Sequence, residues 1–324
     1  MVYQSKFAHG IMFHRFQDLK NKNASYGELT SQNLTKLINF IGRKRILNPD
    51  EWISRLNKGN LKKNHICLTF DDGLKSQIKV ALPVLEKFNL KAFWFIHCNT
   101  LPNNFDKSEI FSILIVKKFK TYKKFIDKFF KYIDIEPKIF ESKKFKKYYN
   151  DETSLYDFYS EIELKYKFLR DIHYPRKKFE NIMENFFLYF KLNIKDFYKN
   201  TWLNKKDLIN LNKKGHMIGM HSFSHPYRMS SLPKKKQSAE YKKNFDYLRF
   251  ILKKNPLAMS HPLDSYNKYS LKILKDLGIL CGFRSHSKTS NGLKINHSTL
   301  EMAREDPVNI LKFIKINLQS RIKT

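Results

Sequence analysis

The chain is expected to fold as an α/β protein, a (β/α) barrel interrupted by one inserted helical subdomain. Three observations predict this. Short apolar runs alternate with helix-sized segments. The runs ending at Phe70 and Met220 are each followed at once by polar, chemistry-bearing residues, as strand ends on the functional face of such a barrel are. Between about residues 105 and 198 the alternation stops and only helical periodicity persists. Among the 324 residues, 42% are hydrophobic and 15% aromatic, enough to bury a sizeable core. That excludes disorder of the whole chain despite a formal charge of +32.

Seven strands are expected, at Ile11 to Phe13, Ile66 to Phe70, Ala92 to Ile96, Met217 to Met220, Leu257 to Met259, Leu280 to Phe283 and Leu300 to Ala303. Helical spacing covers Ser76 to Phe88, Lys205 to Lys214, Gln237 to Leu252 and Tyr269 to Leu277. Gly215 and Gly278 follow two of these where a helix stop belongs. Residues 1–104 and 199–324 thus read as the barrel, and 105–198 as a basic, aromatic-rich helical insertion. In the insertion, Tyr122, Phe125, Ile126, Phe129, Phe130 and Ile133 form one stripe. Further stripes follow from Leu155 to Leu169 and from Phe179 to Phe190. Such spacing marks faces that pack on other helices rather than platforms that stack bases.

Cys67, Cys98 and Cys281 are too few and too far apart for a disulfide framework or a cysteine zinc site. No apolar run reaches membrane-spanning length, and Met1 to Phe16 lacks the continuous apolar stretch of a secretion signal. A cytoplasmic protein is expected, with peripheral attachment to the inner membrane face as an added option. From Lys117 to Lys147 twelve lysines face four acids, a local excess of +8. This is either a solvated helix surface or one that meets phosphate or an anionic membrane. No helix-turn-helix, zinc finger or RNA-binding signature is present, so a nucleic-acid role is disfavoured.

The chemistry concentrates in two places. Thr69-Phe70-Asp71-Asp72-Gly73 puts adjacent carboxylates at the end of a buried strand. Neighbouring side chains diverge, so one carboxylate can bind a metal while the other works as a base on water. Asp-Asp-Gly alone is also ordinary turn chemistry. His221-Ser222-Phe223-Ser224-His225 follows another apolar run, and its two histidines can face one cation if the chain turns helical there. With Asp72 they make two imidazoles and one carboxylate, a facial set that leaves positions open for water and substrate.

These residues bring out a family resemblance. The sequence resembles polysaccharide deacetylases of the NodB-homology type, carbohydrate esterase family 4. Thr-Phe-Asp-Asp-Gly is similar to the first family motif, and His-Ser-Phe-Ser-His to the second. Phe13-His14 and Met302-Ala303-Arg304-Glu305-Asp306 are similar to further family segments. The resemblance implies a distorted seven-stranded deacetylase barrel, Asp71 as general base, and Asp72, His221 and His225 as ligands of a divalent metal. Zinc suits that set best, and cobalt, nickel or iron also suit it. The implied reaction is amide hydrolysis on an N-acetylated sugar, with acetate and a free amine as products.

The third family motif is altered to Met259-Ser260-His261-Pro262-Leu263-Asp264-Ser265-Tyr266-Asn267, without the arginine that would orient the base. Arg304 is the candidate replacement, through a bidentate hydrogen bond to Asp71; the competing reading is a surface arginine in a loop. His297 is the candidate general acid, with His286 as the alternative, and each is also readable as a loop histidine. His14, His261 and Tyr266 are candidate substrate contacts. His9, His65, His97, His173 and His216 read as structural or surface residues.

The expected activity is metal-dependent removal of an N-acetyl group from an amino sugar of a cell-surface polysaccharide, lipopolysaccharide or glycolipid precursor. Partners would be an N-acetylated sugar, nucleotide-sugar or lipid-linked glycan. The alternatives are a sugar O-acetyl esterase or other amide hydrolase on the same fold, and a catalytically silent carbohydrate- or polyanion-binding protein.

Overall fold

The computed structural model describes residues 3, 5–17, 28–98, 107–155, 159–197, 201–287, 296 and 298–322. They fall into two compact units, one comprising the described residues up to 98 and from 201 onward, the other 107–197.

The first unit is built on seven parallel strands: β1 His9–Phe13, β2 Ile66–Phe70, β3 Phe93–Ile96, β4 Met217–Met220, β5 Ala258–Ser260, β6 Cys281–Phe283 and β7 Arg304–Glu305. Their spatial order is β6-β5-β4-β3-β2-β1-β7. A bridge between Phe283 and Met302 brings the two edges together, with the Met302 N–H donating to the Gly282 carbonyl at 2.8 Å. The result is a nearly closed barrel of the expected (β/α) class.

The last strand lies a little later than expected. Residues 300–302 form the turn that meets β6, and regular pairing starts at Arg304, opposite Gly10 of β1. The turn comes so close to β6 that a Cβ at position 282 would collide with the Leu300 backbone. Only glycine permits that closure.

Continuous apolar runs are what strands buried on both faces require. The two-residue period sorts them here. Cys67, Phe93, Phe95, Ala258, Cys281 and Phe283 fill the barrel interior, whereas Leu68, Phe70, Trp94, Ile96 and Met220 pack outward under the helices. On that period Thr69 and Asp71 follow Cys67 into the interior, and Ser260 follows Ala258. Gly219 of β4 faces the ring of Phe95, which a Cβ would approach to 2.7 Å.

The helix Lys205–Lys213 begins on a reciprocal cap between Asn204 and Asp207. Lys234–Leu252 and Lys268–Asp276 lie close to their expected bounds. The segment after β2 is a π-turn, Gln77–Ala81, leading into the helix Leu82–Lys87. Gln77 explains the irregular start: its amide donates to the carbonyls of Asp71 and His14, at 2.6 and 2.8 Å.

The second unit packs the helices Lys107–Phe119, Tyr122–Ile133, Lys143–Leu155, Glu161–Phe168 and Arg176–Tyr189. Phe125, Phe129, Tyr166, Phe179 and Phe186 are buried and meet mostly edge to face, Phe125 and Tyr166 at 5.2 Å. The stripes therefore pack against each other. Among the described residues no helix is long and apolar enough to cross a membrane.

His216, just before β4, is 2% exposed, stands edge-on to Trp94, and accepts the Ala92 N–H through Nδ1 at 3.1 Å. Protonation of Nδ1 would break that bond, and burial lowers the pKa to about 4. A depressed histidine contributes stability that is whole above the unfolded value and drains away as pH falls toward the folded one. His216→Asn keeps an acceptor but cannot titrate. The stability advantage of wild type over this variant should shrink by about 2 kcal/mol between about pH 7 and about pH 5, read by urea denaturation. An advantage independent of pH would refute the assignment.

Candidate active site

Asp71 extends β2 by one residue, its N–H donating to the Phe13 carbonyl at 2.9 Å, so the side chain enters the barrel mouth at 2% exposure. There Arg304 meets it in a fork, with Nη1 to Oδ1 and Nη2 to Oδ2 both at 2.8 Å. The same guanidinium donates to Ser260 Oγ at 2.8 Å, Thr69 Oγ1 at 3.2 Å and the Arg284 carbonyl through Nε. A buried ion pair survives only when such hydrogen bonds replace the lost water. Burial pushes the Asp71 carboxyl up, Arg304 with His221 and His14 outweighs it, and the net value lies below the ordinary aspartate range. Asp71 is held as an ionised, oriented carboxylate.

Asp72 turns the other way because its backbone is left-handed, at φ 70°, and Gly73 continues the turn at φ 65°. Its Oδ1 lies 3.4 Å from His221 Nε2 and 3.6 Å from His225 Nε2. One donor atom from each of the three residues lies within 4.8 Å of the others, and no other such group of three occurs among the described residues.

The histidine loop is not the helix that the spacing suggested. Ser222 and His225 are left-handed, at φ 66° and 51°, and this reversal brings both rings to one point, with centroids 5.0 Å apart. Two residues of the helix Lys234–Leu252 hold the loop. Glu240 accepts the N–H groups of Phe223 and Ser224 at 3.1 and 2.7 Å, and Asn244 accepts that of His221 at 3.0 Å. The strain of the two left-handed residues of this loop is thereby offset by local bonds.

A divalent cation fits this set. His221 Nδ1 donates to the Ser260 carbonyl at 2.8 Å, which fixes the tautomer and leaves the Nε2 lone pair facing Asp72. Asp72 Oδ1 is buried without a hydrogen bond of normal geometry. Burial raises this carboxyl, the imidazoles of His221, His14 and His225 outweigh it, and it stays ionised, well below the usual range. One carboxylate oxygen and two imidazole nitrogens thus converge as the donor set that a divalent cation takes.

The remaining expected residues are placed unevenly. His14 Nε2 lies 3.7 Å from Asp71 Oδ2 with its side chain 39% exposed, beside the base and open to a ligand. His261 is only 1% exposed; its Nε2 donates to the Leu300 carbonyl at 2.9 Å and its ring stacks on Tyr266 at 4.0 Å. It therefore packs under the loop after β5 rather than lining an open pocket. Tyr266 donates to Glu301 at 3.0 Å. His286 pairs with Asp264 at 2.9 Å, and His297 lies outside the described residues. Sequence reasoning missed Ser260, Glu240, Asn244 and His97, whose ring lies 5.2 Å from that of His225. The spacing of four between Glu240 and Asn244 was the available signal, since it places both on one helix face.

The sequence model of the family described as polysaccharide deacetylase matches residues 58–111 and 178–282. Among solved structures, the chain is similar to the deacetylase PplD of Streptococcus pyogenes in complex with acetate, at 15% identity and TM-score 0.55, over 95% of this chain and 98% of that one. It is also similar to IcaB from Ammonifex degensii, at 10% identity and TM-score 0.54, covering 94% of each chain. A de-N-acetylase from Aggregatibacter actinomycetemcomitans aligns at 12% identity and TM-score 0.52, over 93% and 95% of the two chains. No curated protein matches in sequence.

Because Arg304 is the cation that compensates buried Asp71, Arg304→Met should destabilise the protein by about 3–5 kcal/mol in urea denaturation. The double change Asp71→Leu with Arg304→Met should recover most of that loss. A single variant within about 1 kcal/mol of wild type would show that the pair is not structural.

Proposed function

Since the chain belongs to the polysaccharide deacetylase family, we propose that it hydrolyses the N-acetyl amide of an amino sugar in a cell-surface polysaccharide or its precursor. The observation that carries this reading is the pairing of a base and a cation cradle at adjacent residues: Asp71, locked by Arg304, beside Asp72 with His221 and His225. A binding module needs neither an oriented carboxylate nor a buried anion facing two imidazoles. The names of two similar structures, a deacetylase with acetate and a de-N-acetylase, support the same bond class.

Asp72, His221 and His225 are the residues to hold a divalent cation, zinc by donor type. Such an ion supplies Lewis acidity toward the acetyl carbonyl and a lowered pKa for water.

The chain's own groups do the rest. Asp71, ionised at neutral pH, takes a proton from the attacking water. Arg304 holds both carboxylate oxygens, so the base cannot rotate out of line, and its charge stays with the protein. Ser260 serves both halves of the site, its hydroxyl accepting from Arg304 and its carbonyl accepting from His221. His14, half-open beside Asp71, is the substrate contact of the near wall. The acyl carbon gains the water oxygen and loses the sugar nitrogen, which leaves as the free amine on receiving the proton that Asp71 took from water.

Asp71→Asn should retain about one equivalent of metal by elemental analysis while acetate release falls by at least about a hundredfold. Asp72→Ala and His221→Ala should lose the metal itself. Full activity in Asp71→Asn would overturn the base assignment.

On matched N-acetyl and O-acetyl amino sugars, acetate should come from the amide. Release from the ester alone would make the protein an esterase, and metal-loaded protein that releases acetate from neither would remove the hydrolase reading for these sugars.

A further inference from the structure

The second unit carries an apolar surface of its own. Most large hydrophobic side chains of its helices are buried, yet Tyr132, Leu188 and Tyr189 are 37%, 56% and 70% exposed. Tyr132 and Tyr189 are neighbours, and Leu188 adjoins Tyr189 at the end of the same helix. The rings of Tyr132 and Tyr189 meet at 5.6 Å; Tyr132 rests on buried Phe186 at 5.3 Å and Tyr189 on half-buried Phe190 at 5.1 Å. Two helix ends, those of Tyr122–Ile133 and Arg176–Tyr189, thus present one apolar tip.

That tip is bordered by cations. Lys128 stands one helical turn before Tyr132, Lys131 is adjacent to it, Lys191 follows Tyr189 by two residues, and Lys118 reaches over the Phe190 ring at 5.6 Å. All four lysines are exposed. So are all twelve lysines between 117 and 147, where the local excess is +8.

We propose that this face of the helical unit, with Tyr132, Leu188 and Tyr189 at its centre and lysines around it, docks on an anionic lipid bilayer. A single class of partner uses both features. Tyrosine keeps an apolar ring and a polar tip at the headgroup level, an exposed leucine gains by entering the acyl boundary, and lysines gather where anionic headgroups form a diffuse negative surface. Nucleic acid fits less well. An exposed leucine offers no group to a phosphate, and planar bidentate recognition of phosphate is the work of arginine. The arginines of this unit, Arg170 and Arg176, are already paired with Asp171 and Glu180. The proposal rests on this unit alone and stands whether or not the barrel is a hydrolase.

Co-sedimentation of the full chain with vesicles of phosphatidylcholine, with and without about one third phosphatidylglycerol, tests it. Binding should require the anionic lipid and fall at least about fivefold in Leu188→Ser with Tyr189→Ser, and by a similar factor in Lys128→Glu with Lys131→Glu. All four positions are exposed, so the variants should keep the wild-type circular dichroism and metal content. Unchanged binding after the Leu188 and Tyr189 substitutions would overturn the proposal in favour of plain polyanion attraction, as would absence of binding to anionic vesicles. Equal competition by duplex DNA in both wild type and the serine variant would also count against it.

Discussion

The rest of the structure depends on an aspartate that must stay charged inside a barrel. Asp71 is 2% exposed, and the strand period that places it there also removes it from water. An isolated carboxylate in that position would take up a proton and lose its charge. Arg304 prevents this, and in doing so it fixes more than a charge. Its guanidinium reaches β2 through Thr69 and Asp71, β5 through Ser260, and the chain just past β6 through the Arg284 carbonyl. One side chain therefore ties the strands around the mouth to the Asp71 carboxylate.

Around that pair the backbone accepts conformations that L-residues ordinarily avoid. Asp72, Ser222 and His225 are all left-handed, and all belong to the Asp72, His221 and His225 cluster or its loop. The alternative, extended backbone, would send Asp72 away from the histidines. Glu240 and Asn244 hold the histidine loop from behind through backbone N–H groups. Here strain and compensation lie within a few residues of each other, an arrangement suited to a site whose donor atoms must converge before any ligand arrives.

How far the sequence could be read follows from the kind of signal each part carries. β2 and β4 were legible to the residue because a strand buried on both faces leaves an uninterrupted apolar run. The helices Ser31–Ile41 and Pro49–Asn57 were not singled out, although Thr30 with Asn33 and Asn48 with Pro49 are start signals; their apolar faces are short and lie amid charge. Asp71, Asp72, His221, His225 and Arg304 were all named in advance, and the structure brings them together. The convergence of the histidine pair, expected if the chain turned helical there, is reached without a helix, because i to i+4 spacing has a second solution that uses left-handed residues no periodicity reveals. Ser260 was invisible for a different reason. A serine at a strand end has no pattern, and its value comes from what the other strands bring to it.

The altered motif after β5 shows why a barrel tolerates such rearrangement. The arginine that the resemblance expects there is absent, and Ser260 stands at that strand end. In an open sheet, an orienting residue lost from one strand could be replaced only from a neighbour. In a closed or nearly closed barrel, every strand end faces the same mouth, so Arg304 of β7 supplies the guanidinium across the interior while Ser260 keeps a hydroxyl on the original side. The exchange has a structural consequence. β7 is only two residues long, and its pairing with β1 is reinforced by the bonds of Arg304 to Asp71 and to the chain past β6. Barrel closure and the orientation of the Asp71 carboxylate therefore rest on the same side chain. Any change that frees Asp71 from its partner also loosens the seam between the first strand and the last.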